Sequence, residues 1–317
     1  MAKPHMCPPA LLAKDLTDRV YVVTGANSGI GFETAQQLAK QGATVVLACR
    51  RVEEGQARAA EIAQVHAGAK TKVLRLDLGS LESVRAFAKE LLGEHDTLHG
   101  LINNAGVMNT PEQKTADGFE MQIGVNHLGH FLLSELLVDA LKKGAPARIV
   151  NVSSCFHDKA VGREGRIVLE DLHFETRSYD GWEAYAQSKL ANVLHAKGLA
   201  KRLEGSGVTA VSVHPGWVRT NLARHSMPVW IQDYVLRPIF RLMGMIEPWE
   251  GAQSSLYAAL ADDVEENAGG YYSQLGLYRD KAFNKGGWPM ESPNPNASDD
   301  ALADALWDKS RSLVGLA

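Results

Sequence analysis

The chain has only three cysteines, Cys7, Cys49 and Cys155, an odd number without metal-ligand spacing. No disulfide framework or metal clip can be read from them, and reduced thiols in a cytosol are the simplest account. Basic charge is not in excess: 33 Lys and Arg face 37 Asp and Glu, for a formal net charge of −4. That leaves no field for nucleic acid or an anionic membrane and points to small-molecule partners. No apolar run of about 18 uncharged residues occurs, and the N-terminus lacks an apolar stretch of signal-peptide length. Neither secretion nor a transmembrane segment is expected, and the cytoplasm is the expected compartment. His, Cys, Asp and Glu form no ligand set; His127 and His130 come nearest, and with His157, His173 and His214 they read as core or surface histidines. No metal is expected.

What is present is 317 residues, 45% hydrophobic and 22% charged, enough to bury a sizeable core. Short β-branched runs at 20–24, 44–48, 72–77, 100–103, 147–152 and 209–214 alternate with segments of helical period at 33–41, 53–65, 81–92, 119–141 and 182–203. This alternation predicts a parallel sheet wound on both faces, with right-handed crossovers. No repeat or linker divides the chain. A single domain over 1–317 is expected: a core over 17–225, a segment over 226–249, and C-terminal helices, a last strand and a tail over 250–317. Residues 288–296, rich in Pro and Asn, read as an appendage.

The first strand runs straight into Thr24-Gly25-Ala26-Asn27-Ser28-Gly29-Ile30-Gly31, followed by a helix. Glycines so placed allow a tight turn and close backbone approach to a pyrophosphate, with helix N–H groups facing the phosphates. The spacing G-x-x-x-G-x-G differs from the generic dinucleotide fingerprint, so that rule transfers in mechanism only. Gly25, Asn27, Ser28, Gly29, Ile30 and Gly31 are therefore candidate cofactor ligands. At the end of the second strand, where a carboxylate would hold a ribose 2′-hydroxyl, stand Arg50 and Arg51. Guanidiniums suit a 2′-phosphate, which points to NADP(H). Asp77 and Leu78, after the third strand, and Asn104, Ala105 and Gly106, after the fourth, would line the same crevice.

Tyr185 and Lys189 stand four apart on a helical segment and so share a face. A phenol is a poor proton donor or acceptor near neutrality unless a cation stabilises its phenolate, and Lys189 would be that cation. Ser154 follows the fifth strand at the carboxyl edge, where such sheets bind ligands, and could hold a substrate oxygen; Ser153 ranks second. A Tyr–Lys pair alone would read as a surface pair. The nucleotide loop, strand-end serine and tyrosine helix together occur in the order that one crevice requires.

From about Asp18 to the C-terminus, these motifs resemble the short-chain dehydrogenase/reductase family, most closely its retinol dehydrogenase-like branch. The run at residues 188–193 and Leu306-Trp307 are similar to that branch specifically. The resemblance implies a single Rossmann-type doubly wound sheet with a helical substrate lid over 226–249, within which residues 227–243 are expected to close over substrate. It implies hydride transfer between nicotinamide and a carbonyl or alcohol, a lipophilic aldehyde or ketone being the expected substrate. It gives Asn126 the role of a helix-kinking residue in a water relay to Lys189. It makes Pro215, Gly216, Val218 and Thr220 part of the segment that binds the nicotinamide amide, and it implies a homodimer or homotetramer. The other readings are a non-enzymatic NADP(H) sensor or scaffold, and an epimerase or dehydratase. The spacing from Ser154 to Tyr185 is longer than in compact members, so residues 155–182 read as an insertion. The N-terminal apolar anchor of membrane-bound relatives has no counterpart here, so a retinoid substrate does not follow.

Overall fold

A computed structural model describes residues 3–218 and 244–316 of the chain. Its frame is an eight-stranded sheet with order β10-β9-β8-β5-β4-β1-β2-β3. The strands are β1 (Val20–Thr24), β2 (Thr44–Cys49), β3 (Lys70–Arg75), β4 (Gly100–Asn103), β5 (Ala147–Val152), β8 (Val208–His214), β9 (Tyr271–Ser273) and β10 (Gly287–Met290). β6 (Lys159–Ala160) and β7 (Arg163–Glu164) form a separate small hairpin. All neighbours in the large sheet are parallel except β10, which runs antiparallel to β9. The strand order reverses between β1 and β4, and the carboxyl edge beside that reversal is where open sheets of this kind take ligands.

Strand alternation assigns the two faces. Val23, Val45, Leu47, Ile102, Val150, Val211 and Val213 pack with helices α2 (Gly29–Lys40), α3 (Val52–Val65) and α8 (Pro248–Leu260). Val22, Val46, Leu74, Leu101, Ile149 and Ala210 pack with α4 (Leu81–Glu94), α6 (Gly129–Lys143), α7 (Gly181–Arg202) and α9 (Asp300–Leu313). Both faces are covered, so the central strands are buried at nearly every position. Local chemistry sets the helix starts. Ser80 accepts from Ser83 N at the head of α4, Asp180 from Trp182 N and Glu183 N at the head of α7, and Asp299 from Leu302 N at the head of α9.

Several expected elements shift. β3 lies two residues earlier than its apolar run suggests: Asp77 Oδ1 accepts from Gly79 N and Ser83 Oγ accepts from Asp77 N, a turn that ends the strand. The helix expected over 119–141 is α5 (Met121–Ile123), then a π turn (Gly124–Leu128), then α6. Residues 287–290 are an edge strand of the main sheet rather than an appendage. Residues 248–249 of the expected lid open α8, whose start carries a capping box of Glu247 and Glu250. Residues 244–247 are also described, Ile246 bridging to Val218, and the rest of the expected lid, including 227–243, lies outside the described residues.

Trp307 of α9 closes the second core: it meets Phe131 edge-on at 4.8 Å, and the Arg202 guanidinium covers its ring at 4.1 Å. Trp307→Ala is expected to cost about 3–5 kcal/mol, read as a lower denaturant midpoint with unchanged slope.

Candidate active site

One cleft of about 690 Å³ runs along the carboxyl edge of the sheet, and the glycine loop, both arginines and two strand-end turns all line it. Gly25, Asn27, Ser28, Gly29, Ile30 and Gly31 form one wall; Arg50 and Arg51 stand beside them; Asp77, Leu78, Asn104, Ala105 and Gly106 form another. The N-terminus of α2 opens into the cleft without a side-chain cap, unlike α4, α7 and α9, so its first N–H groups remain available to an anion. Gly29 sits at φ +56° with nothing within 4 Å of where a Cβ would be. Gly31 is pressed against the turn: a Cβ there would stand 2.4 Å from Asn104 Nδ2 and 2.6 Å from the Gly25 carbonyl oxygen. An uncapped helix end over an open, glycine-lined cradle fits a dinucleotide pyrophosphate.

At the arginine end, Arg51 Nε lies 2.9 Å from Glu54 Oε1, and Asn27 Nδ2 donates to Glu54 Oε2 at 2.8 Å. Arg58, one turn further along α3, also lines the cleft and donates to the Asn27 carbonyl at 3.3 Å. Sequence reading passed over Arg58, although its spacing from Arg51 places both on one helix face. The segment after β8 is not among the residues that line this cleft; it packs on α8 close to Ile30 of the glycine loop. The site for a Cβ on Gly251 of α8 lies 2.5 Å from Val218 Cγ2, 3.2 Å from Pro215 O and 3.3 Å from Ile30 Cγ1. Gly216 follows Pro215 at φ +91°. Thr220 lies outside the described residues.

Asn126 and Lys189 converge beside Gly106, and Tyr185, hydrogen-bonded to Ser154, stands one turn before Lys189 on α7. A Cβ on that glycine would stand 3.1 Å from Asn126 Oδ1 and 3.4 Å from Lys189 Nζ. Asn126 belongs to the π turn, and its amide clasps Val107, accepting from the backbone N at 2.8 Å and donating to the carbonyl at 2.9 Å. The same amide nitrogen reaches Ser188 Oγ at 2.9 Å, tying the turn to α7. Ser153 Oγ donates to the Lys189 carbonyl at 2.7 Å and so fastens the helix backbone, whereas Ser154 hydrogen-bonds the Tyr185 side chain.

Burial dominates the electrostatics. Tyr185 is held above the ordinary phenol range by burial, against which the Ser154 hydrogen bond pulls down. The expected lowering by Lys189 does not appear among its causes, because Nζ lies 5.7 Å from the ring centroid and donates to the Val152 carbonyl at 3.0 Å. Lys189 is itself only 4% exposed, and burial pulls its pKa down to about 8. At neutral pH it is still mostly a cation, and Tyr185 is a neutral acid.

The structure explains the insertion. His157 Nδ1 lies 2.6 Å from the Ser154 carbonyl oxygen, and its Nε2 lies 2.6 Å from Ser292 Oγ. Asn294 Nδ2 donates to the carbonyls of His157 and Gly165. The chain following β9 therefore clamps the inserted segment onto the serine turn. No sequence signal marked His157, because the partners that give it a clamping role, Ser292 and Asn294, lie more than a hundred residues away. Phe156 and Trp182, from the two ends of the insertion, meet the Tyr185 ring edge-on at 6.2 and 6.4 Å, giving the phenol an aromatic surround.

Among the described residues no carboxylate lies within ion-pair distance of Lys189, and the Val152 carbonyl has a second donor in Asn192 Nδ2 at 3.1 Å. Lys189→Met would thus remove a buried charge without orphaning an acceptor. It is expected to stabilise the cofactor-free fold by about 2–3 kcal/mol, raising the thermal midpoint by roughly 4–10 °C at pH 7. The lysine pKa is lower folded than unfolded, so between about pH 8 and 10.5 the unfolded chain binds more protons and the wild type gains stability as pH rises. The gap to the Met variant should close over that window in a pH series of melts.

A model of the short chain dehydrogenase family matches residues 19–228. The chain is 47% identical to retinol dehydrogenase 11 of Mus musculus over 95% of its own length and 88% of that protein's. It is 46% identical to retinol dehydrogenase 12 of Homo sapiens, over 95% and 88% respectively. A crystal structure of a Mycobacterium paratuberculosis protein superposes with a TM-score of 0.73 at 37% identity, covering 96% of each chain. Among the described residues no helix is long and apolar enough to cross a membrane. With this match in sequence and in the course of the sheet, the chain belongs to the short chain dehydrogenase family, in its retinol dehydrogenase-like branch.

Proposed function

We propose that the protein is an NADP(H)-dependent oxidoreductase that interconverts a lipophilic aldehyde or ketone and its alcohol. The observation that carries this reading is the Ser154–Tyr185 hydrogen bond with Lys189 one turn along α7, its Nζ beside Gly106, a residue of the cleft that Arg50 and Arg51 also line. A bound nicotinamide supplies or accepts the hydride. Residues 25–31 and the N-terminus of α2 hold the pyrophosphate, Asp77 and Leu78 border the adenine, and residues 104–106 line the space beyond. Pro215, Gly216 and Val218 belong to the segment that would bind the nicotinamide amide.

In the reductive direction Ser154 positions the carbonyl oxygen, and Tyr185, a neutral acid at physiological pH, gives its proton to that oxygen as charge develops there. The Lys189 cation favours the phenolate left behind, and Asn126 holds the turn against which Lys189 stands. The aromatic surround from Phe156 and Trp182 suits an apolar substrate, and relatives named retinol dehydrogenases support an extended lipophilic one. The buried thiols, Cys7, Cys49 and Cys155, are all free, in keeping with a cytoplasmic setting. A homodimer or homotetramer is the assembly we assign.

Cofactor choice follows from the arginine end: NADPH should bind at least about tenfold more tightly than NADH, and Arg50→Asp should narrow or reverse the preference. Equal affinities in fluorescence titrations would overturn the assignment. Tyr185→Phe keeps the ring and loses the acid, so NADPH binding should persist while carbonyl turnover falls by about 10²–10⁴. Near-normal rates in that variant, across a panel of aldehydes and ketones, would remove the proposed proton donor.

A further inference from the structure

One helical turn beyond Asn126 stands His130, only 1% exposed and with both ring nitrogens engaged. Nδ1 lies 3.0 Å from the Asn126 carbonyl oxygen and Nε2 lies 2.9 Å from Thr24 Oγ1. A carbonyl can only accept, so Nδ1 carries a proton. Burial pulls the imidazole pKa down to about 4, so the ring is neutral, Nε2 is an acceptor, and the Thr24 hydroxyl donates to it. With its proton so committed, Thr24 Oγ1 turns its lone pairs to the backbone N–H groups of Asn104 and Ala105, each at 2.9 Å. The Ile102 carbonyl is a second acceptor for the Thr24 hydroxyl but lies farther off, at 3.4 Å, so the bond to His130 is the shorter and better one.

The segments joined by this chain belong to opposite sides of the site. Thr24, at the end of β1, and residues 104–106 form the wall that borders the cofactor cleft. Asn126, clasping Val107 and Ser188, and Lys189 form the wall that carries the proton chemistry. The two meet at Gly106, where a Cβ would stand 3.4 Å from Lys189 Nζ. We infer that His130 is a positioning residue that fixes the spacing of these two walls through its bonds to the Asn126 carbonyl and the Thr24 hydroxyl. Displacements well below 1 Å at such a junction change rates severalfold, because the reacting groups are fixed on different segments. Any buried histidine gains from satisfied nitrogens; what marks His130 is that its two bonds end on the two different segments that flank the site. The inference rests on Tyr185 and Lys189 being the reacting pair.

Two substitutions separate the two bonds. The Asn amide nitrogen can take the place of Nδ1, so His130→Asn keeps the tie to Asn126 and loses that to Thr24. The Gln amide reaches the place of Nε2, so His130→Gln does the reverse. In the full-length protein, the NADPH dissociation constant is measured by fluorescence titration without substrate, and kcat is measured at saturating NADPH. For His130→Asn the dissociation constant should rise about tenfold more than kcat falls; for His130→Gln kcat should fall about tenfold more than the dissociation constant rises. Thr24→Val removes the same bond from its other end together with the acceptor of the Asn104 and Ala105 N–H groups, so it should raise the dissociation constant at least as much as His130→Asn, and His130→Asn added to it should raise the constant no further; a further rise would overturn the inference. Parallel changes in both constants, or no change in either, would overturn the inference. Tyr185→Phe in the same assays separates the two failures. If it stays active, the reading of the reacting pair is wrong; if it is inactive while the substitutions show no split, only the role of His130 is wrong.

Discussion

A buried cation that, among the described residues, has only a carbonyl oxygen for a hydrogen-bond partner is the constraint around which this molecule is arranged. Lys189 is 4% exposed, and its Nζ donates to the Val152 carbonyl at the carboxyl end of β5. Water would solvate that charge far better than the protein does, so the surrounding structure must hold it there. α7 supplies the hold: it is buried along most of its length, started by the Asp180 cap, fastened by Ser153 to the Lys189 carbonyl and by Asn126 to Ser188. Function and stability oppose each other at this point, as they do where active sites keep a group that a better-packed core would discard.

Beneath the site, a buried polar seam continues the same logic. Asn103 donates to Asn151 and Ser134, and Asn151 reaches His195, all at positions closed to solvent. Side-chain amides at the ends of β4 and β5 thus bind neighbouring strands to α6 and α7 across a layer that apolar residues would otherwise fill. Directed bonds of this kind allow few alternative packings, which suits elements that must present reacting groups at fixed separations. The clamp from the chain after β9 does the same for the serine turn. It converts an insertion that would lengthen a loop into a segment held by His157, Ser292 and Asn294.

The cofactor end relies on a different economy. No side chain caps α2, and no carboxylate occupies the end of β2, so the cleft offers backbone N–H groups and guanidiniums rather than a finished set of bonds. Glu54 meanwhile engages Arg51 and Asn27 from within the chain, keeping the arginine oriented along the cleft wall.

Much of this was legible in the residues. The alternation of β-branched runs with helical periods located the six parallel strands that build the centre of the sheet, because burial on both faces writes a continuous apolar signal. The glycine loop, Arg50, Arg51, Ser154, Tyr185 and Lys189 were readable for a related reason: each depends on local spacing and on the strand end it follows. Other features depend on partners distant in sequence. The period alone reads residues 119–141 as one helix, since the π turn alters it by only one residue, and the kink at Asn126 came from the family resemblance instead. The edge strand at 287–290 is too short and too rich in Gly and Pro to show a pattern, and it exists because β9 offers it an unpaired edge. His130 and His157 were indistinguishable from ordinary core histidines until Thr24 and Ser292 were brought within 3 Å of them. The sequence by itself determined the order of strands and helices and the chemistry each could carry. Tertiary structure alone decided the pKa directions and the pairing of buried polar groups, because desolvation and hydrogen-bond geometry arise only when distant segments close around one another.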